Sequence, residues 1–235
     1  MSRHPILVVT AVPAEADALR AALDQEPGPA PGTGSDHPGS RRVATPPEPT
    51  ASLVIEAVGV GPAAAAAGTA RLLARRRYRA VISAGIAGGF PGRADVGGTV
   101  LAGRTIAADL GAESPDGFLP VEELGFGSSI LATDPALLEA LRAALPHAAV
   151  GDILTLSTVT GTEETAARLA ARFPRAVAEA MEGYGVAVAA ADAGVPFAEL
   201  RSISNPVGPR DRATWRLADA FAALRAAAPA LHTLP

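Results

Sequence analysis

Apolar residues along this chain fall into short unbroken runs and longer stretches with a helical period, and the two kinds alternate from one end to the other. PILVVTAV (5–12) is a run of the first kind and predicts a buried strand, and AEADALRAAL (14–23) follows at once with the spacing of an amphipathic helix. The pair recurs. SLVIEAVGVG (52–61) predicts a strand, AAAAAGTARLLARRR (63–77) a helix, and AVISAGIAGG (80–89) another strand ending in glycine. TVLAGRTIAADL (99–110) and GDILTLSTV (151–159) add two strands, with helices predicted over 134–145 and 163–172. MEGYGVAVAAADAG (181–194) reads as a buried helix stopped by Gly194 and Pro196. PFAELRSIS (196–204) reads as a buried strand, and 211–231 as a closing helix with Asp211 in an N-cap-like position. Two stretches break the rhythm. ESPDGFLP (113–120) is read as a polar loop, and 26–50, dense in Pro, Gly, Ser and Thr without an apolar period, as a surface loop inserted into the domain.

Strands alternating with helices predict an α/β fold: a central, mostly parallel, twisted mixed sheet flanked by helices. At 235 residues and 49% hydrophobic, the chain suffices for one such domain over 1–235.

Composition narrows the chemistry. A formal net charge of -4 argues against a nucleic-acid or anionic-membrane partner and favours a small-molecule site. The chain contains no Cys, which removes disulfides, thiolate zinc sites and thiol nucleophiles, and no Lys, which removes Schiff-base chemistry and a P-loop lysine. Its N-terminus has no signal-peptide pattern and no stretch is apolar enough to span a bilayer, so a cytoplasmic protein is expected. The four His residues, at 4, 37, 147 and 232, have no metal-ligand spacing, and no metal or cofactor is expected. Gly59-x-Gly61 follows a strand but lacks the acidic residue about 20 positions on that a dinucleotide fingerprint requires, so it is read as a tight turn.

Three polar residues stand at element ends. Glu15 sits in the first turn of the first helix, where the helix dipole alone would favour a carboxylate. Glu182 interrupts an almost uncharged stretch and must line a pocket or find a partner. Asn205 lies where the strand PFAELRSIS ends, fenced by Pro206 and Pro209, at the kind of sheet edge where α/β proteins hold ligands. Each also has an ordinary reading, as a surface helix start, a paired core charge or a turn residue.

Together these stretches resemble the nucleoside phosphorylase and nucleosidase superfamily. VVTAVPAEADAL resembles its first strand and the turn carrying the nucleosidases' catalytic Glu, VISAGIAGGF its Gly-rich strand end, and AMEGYGVAVAAADAGVPFAELRSISN its Met-Glu helix and the following strand. SISNPVGPRDR is most similar to futalosine hydrolases. The resemblance implies an N-glycosidase acting on a purine nucleoside, with Glu15 activating water and Asn205 contacting the base. It further implies that Met181, Glu182, Ile86, Ala87, Gly88, Val159 and Thr160 line the substrate site and that the protein is a homo-oligomer, a dimer or larger. Related nucleosidases of methylthioadenosine carry Asp where this chain has Asn205. An Asn presents a carbonyl acceptor beside an NH2 donor, which matches the N7–H and O6 of hypoxanthine. Positions that hold phosphate in related phosphorylases look like Ser83 and Ile86 here, which favours hydrolysis. The alternatives are a phosphorylase acting on inosine and a methylthioadenosine/adenosylhomocysteine-type nucleosidase. No aromatic residue occurs at 158–160 to cover a purine face, and the arginine that would meet the carboxylate on futalosine's 5′ arm is not identified by pattern.

Overall fold

A computed structural model describes residues 4–24 and 52–235; the segment read as an inserted loop, 26–50, lies outside them. The first strand, β1 (Ile6–Thr10), is buried along its whole length. Its alternate residues serve two different cores: Ile6 and Val8 pack with Leu19, Ile82, Leu141 and Leu231, whereas Leu7 and Val9 pack with Val81, Val186 and Phe197. A strand covered on both faces has no use for polar positions, which is why its sequence is a continuous apolar run.

Parallel to β1 on its two sides lie β2 (Leu53–Ala57) and β3 (Ala80–Gly89), connected by helices α1 (Pro13–Leu23) and α2 (Pro62–Arg75). The predicted strand 52–61 is shortened because Val58 to Gly61 form the turn into α2, with Gly59 and Gly61 at φ 106° and 87°, angles that a side chain disfavours. Beyond β3 come β4 (Thr99–Ala107), a hairpin of β5 (Gly111–Ser114) and β6 (Gly117–Pro120), and β7 (Ile130–Ala132). The hairpin replaces the loop expected over 113–120. Next are α3 (Pro135–Ala144), capped by the Asp134 side chain, β8 (Ala149–Thr155), α4 (Glu163–Arg172) and β9 (Ala176–Ala180). The chain closes with α5 (Gly183–Asp192), β10 (Phe197–Pro206) and α6 (Leu217–Ala227), with short 3₁₀ turns at Arg212–Thr214 and Ala228–Thr233.

Two corrections bear on the site. The strand predicted over 151–159 ends at Thr155, which leaves Val159 and Thr160 in a loop. The helix predicted from 181 begins at Gly183, because Ala176–Ala180 is a strand and Met181 and Glu182 form its junction with α5.

The sheet is mixed and curls on itself. β3 pairs with β10 and β9, β10 with β4, β4 with β8, and β8 with β9, so five strands close a ring, with β1 and β2 continuing from β3. Helix α5 packs on α2 at a distance only glycine permits: a Cβ on Gly185 would stand 2.1 Å from the Pro62 carbonyl oxygen. Such contact fixes where α5 begins, and therefore where Glu182 stands.

Candidate active site

At one end of this ring the chain leaves β1, β3, β9 and β10, and their last residues border a cleft of about 250 Å³. The nine residues expected at the substrate site lie on its lining: Glu15, Ile86, Ala87, Gly88, Val159, Thr160, Met181, Glu182 and Asn205.

Glu15 is 3% exposed and stands in the first turn of α1. One carboxylate oxygen accepts from the backbone N–H groups of Ala11 (3.0 Å) and Val12 (3.2 Å), and the other from Ile86 N–H (2.9 Å). Burial raises its pKa above the ordinary carboxylate value, against the lowering effect of the Ile86 N–H and of Arg201. A carboxylate clamped in this way, yet reluctant to stay ionised, is a base with a fixed direction.

Glu182, 6% exposed, accepts from Gly61 N–H at 3.2 Å and pairs with Arg201 at 3.3 Å. Arg201 is the charge that sequence reasoning passed over. Only 1% exposed, it donates from Nε to Glu199 (2.9 Å), from Nη1 to Glu182 and from Nη2 to Ser83 Oγ (3.0 Å). Burial alone would lower its pKa, but Glu199, Glu182 and Glu15 together raise it. Ser83, 1% exposed, lies beneath the cleft holding this guanidinium and does not line the cleft itself. Three of the five N–H donors of Arg201 are therefore committed to protein partners, and the Ile86 N–H is committed to Glu15.

Asn205 is half-buried at the end of β10, beside Gly88 of β3. Its carbonyl accepts from Ser204 Oγ at 2.7 Å and its NH2 donates to the Pro206 carbonyl at 2.9 Å. Each group keeps a second hydrogen-bonding direction, since a carbonyl has two lone pairs and an amide two N–H bonds. Three further lining residues escaped the sequence reading. Glu179, at the end of β9, accepts from Thr160 N–H at 2.7 Å and from the Thr160 hydroxyl. Arg210 and Trp215 lie on the segment after β10, the guanidinium 5.6 Å from the indole centroid. Strand β9 could have revealed Glu179, because AVAEA ends next to the Met-Glu pair; no local pattern marks the other two.

A larger cavity of about 520 Å³ lies on the other side of the Pro206–Pro209 segment, lined by Phe90, Ala166, Ala170 and Val207. Its arginine, Arg93, already donates to the carbonyls of Ala170, Phe173 and Ala176. The smaller cleft is the one with chemistry.

The family model described as the phosphorylase superfamily matches residues 5–234. The chain belongs to the phosphorylase superfamily. Within this superfamily it is 51% identical over 224 residues to the futalosine hydrolase of Streptomyces coelicolor, covering 93% of this chain and 91% of that protein. It is 52% identical to the futalosine hydrolase of Acidothermus cellulolyticus, covering 94% and 90%. The superfamily fold is seen in the crystal structure of a 5′-methylthioadenosine/S-adenosylhomocysteine nucleosidase from Colwellia psychrerythraea in complex with adenine. That structure has a TM-score of 0.75, 25% identity, and coverage of 99% of this chain and 96% of that one. As a superfamily member grouped with futalosine hydrolases, the chain is an N-glycosidase. Among the described residues no helix is long and apolar enough to cross a membrane.

Proposed function

We propose that this enzyme hydrolyses the N-glycosidic bond of futalosine, releasing hypoxanthine and dehypoxanthine futalosine, as a step in menaquinone biosynthesis. The observation that carries this reading is the clamped, buried Glu15 at the cleft, with Arg201 buried beneath it and bonded to Glu199, Glu182 and Ser83. A phosphate nucleophile would meet the carboxylates of Glu15 and Glu182, and among the described residues the cleft's lining cation is Arg210, out at the rim, whereas water is neutral and needs a base. The identities of 51% and 52% to futalosine hydrolases support the substrate.

In the mechanism, Glu15 takes a proton from a water molecule as its oxygen bonds to the anomeric carbon. The C–N bond breaks through an oxocarbenium-like state and its electron pair stays on the purine. Asn205 hydrogen-bonds the N7 and O6 edge of the departing hypoxanthine, whose charge spreads onto O6 and is quenched by a solvent proton. Glu182 accepts from the ribose 2′ and 3′ hydroxyls, sharing its oxygens with the N–H groups of Gly61 and Met181 and with Arg201. The Met181 side chain packs on the sugar.

The test is incubation with futalosine, aminodeoxyfutalosine, methylthioadenosine and inosine, each with and without phosphate, following base release by chromatography. Hypoxanthine from futalosine at a rate indifferent to phosphate is expected. Adenine release, or a requirement for phosphate, would overturn the substrate or the hydrolytic reading respectively.

A further inference from the structure

The mechanism leaves one acid of the cleft unused. Glu179 is 6% exposed and, among the described residues, no arginine pairs with it. Among the described residues its hydrogen bonds come from the backbone N–H and hydroxyl of Thr160 alone. Burial, with the nearby charge of Asp109, raises its pKa against the lowering effect of the two Thr160 bonds. A buried carboxylate held only by neutral donors is an acceptor awaiting one more donor.

Its place in the sheet says where that donor would be. Gly88 of β3 pairs with Glu179 of β9 on one side and with Asn205 of β10 on the other. Residues directly opposite on paired strands project from the same face of a sheet, and across the register shift between Ile203 and Asn205 the common side is given by the place of both Glu179 and Asn205 on the cleft lining. Glu179 and Asn205 thus flank a residue that has no side chain, about 10 Å apart at the backbone, two strand spacings. That width takes one planar heterocycle with a hydrogen bond at each edge. The space is kept open at Gly88 itself: a Cβ there would reach within 3.4 Å of Asn205 Nδ2 and 3.1 Å of Val207 Cγ2.

We infer that Glu179 determines base specificity, its carboxylate accepting the N1–H of a 6-oxopurine whose N7 and O6 edge meets Asn205. This rests on the hypoxanthine reading proposed above. A 6-oxopurine carries hydrogen on N1; a 6-aminopurine presents a bare lone pair there, which a carboxylate repels. The base is then read at two edges by residues on different strands, and the edge at Glu179 is independent of the amide orientation at Asn205.

The experiment is calorimetric titration of the intact protein with hypoxanthine, 1-methylhypoxanthine and adenine, for the wild type, Glu179→Ala and Glu179→Gln, alongside kcat/KM on futalosine. The wild type should bind hypoxanthine about 10- to 100-fold more tightly than 1-methylhypoxanthine, the worth of one charge-assisted hydrogen bond. Glu179→Ala should lose that preference, binding both alike, with kcat/KM on futalosine reduced by a similar factor. Glu179→Gln keeps an acceptor and adds a donor, so its ratio of hypoxanthine to adenine affinity should narrow about tenfold or more. If the alanine variant does not fold, as judged by thermal unfolding, the glutamine variant decides alone. Variants that keep the wild-type preferences would overturn the role of Glu179 while leaving the enzyme's proposed reaction intact. A wild type that neither binds hypoxanthine nor releases it from futalosine would remove both.

Discussion

Glu15 shows how much a single side chain can be read from sequence and where the reading stops. Its position after the first strand marked it as a candidate, but the three N–H groups that hold it come from the β1–α1 turn and from Ile86, 71 residues away. Because burial raises its pKa, the active carboxylate is lost as pH falls at a higher pH than an ordinary glutamate would require. The acid limb of kcat for futalosine should therefore lie above the usual carboxylate range, and Glu15→Gln should cut turnover by about 10²–10⁴ while binding hypoxanthine. The same shift has a sign for stability. A group whose folded pKa is raised stabilises fully below its unfolded pKa and loses that contribution as pH rises through the folded value. Gln carries no charge to bury, so Glu15→Gln should gain in Tm relative to the wild type between pH 4 and pH 8, whatever constant cost its amide incurs against the N–H clamp. A pH series of paired melts checks the direction. At Asn205 the expected change is one of preference: Asn205→Asp should raise kcat/KM for 6-aminopurine nucleosides relative to futalosine, measured by competition between the two.

At the scale of elements, periodicity recovered the long, strongly patterned pieces, with 80–89 and 163–172 matching β3 and α4. The misses share a physical cause. Strand β9 is five residues long and the hairpin strands four each, too short for a period to develop, and the place of β9 is set by pairing with β3 and β8, distant in sequence. The segment from Pro206 to Trp215 is the functional counterpart of that limit. The expected helix from 211 is divided into a 3₁₀ turn and α6, and the division sets Trp215 on the cleft. Arg210 stacks over it with no carboxylate partner among the described residues. An exposed cation at the rim of a cleft whose other charged lining residues are Glu15, Glu179 and Glu182 suits a substrate whose distal arm ends in a carboxylate. Arg210→Ala should raise KM for futalosine about tenfold with kcat little changed, and leave kinetics on inosine, which lacks the arm, unaffected. Equal losses on both substrates would assign Arg210 to the loop's shape.

For the whole molecule, the number and alternation of elements predicted the α/β class, but not the closure of five strands into a ring, because closure depends on β3 pairing with both β9 and β10. That ring encloses a charge cluster. Glu199 and Arg201, two residues apart on β10, sit beside Glu182, and Gly183 is required for the fit, since a Cβ there would stand 2.2 Å from a Glu199 oxygen. In sequence these acids look like unrelated core anomalies; only the fold gathers them on one guanidinium. Removing that guanidinium would strand several carboxylates in the interior, so Arg201→Met should destabilise by about 3–5 kcal/mol in chemical denaturation, more than a typical surface change. The clamp on Glu15 also carries a stereochemical consequence. A carboxylate fixed by three N–H groups delivers water along one line only, and a single displacement on the side away from the departing base inverts the reacting carbon. The β-nucleoside should accordingly yield the sugar first as its α anomer, visible by proton NMR in the interval before mutarotation mixes the two.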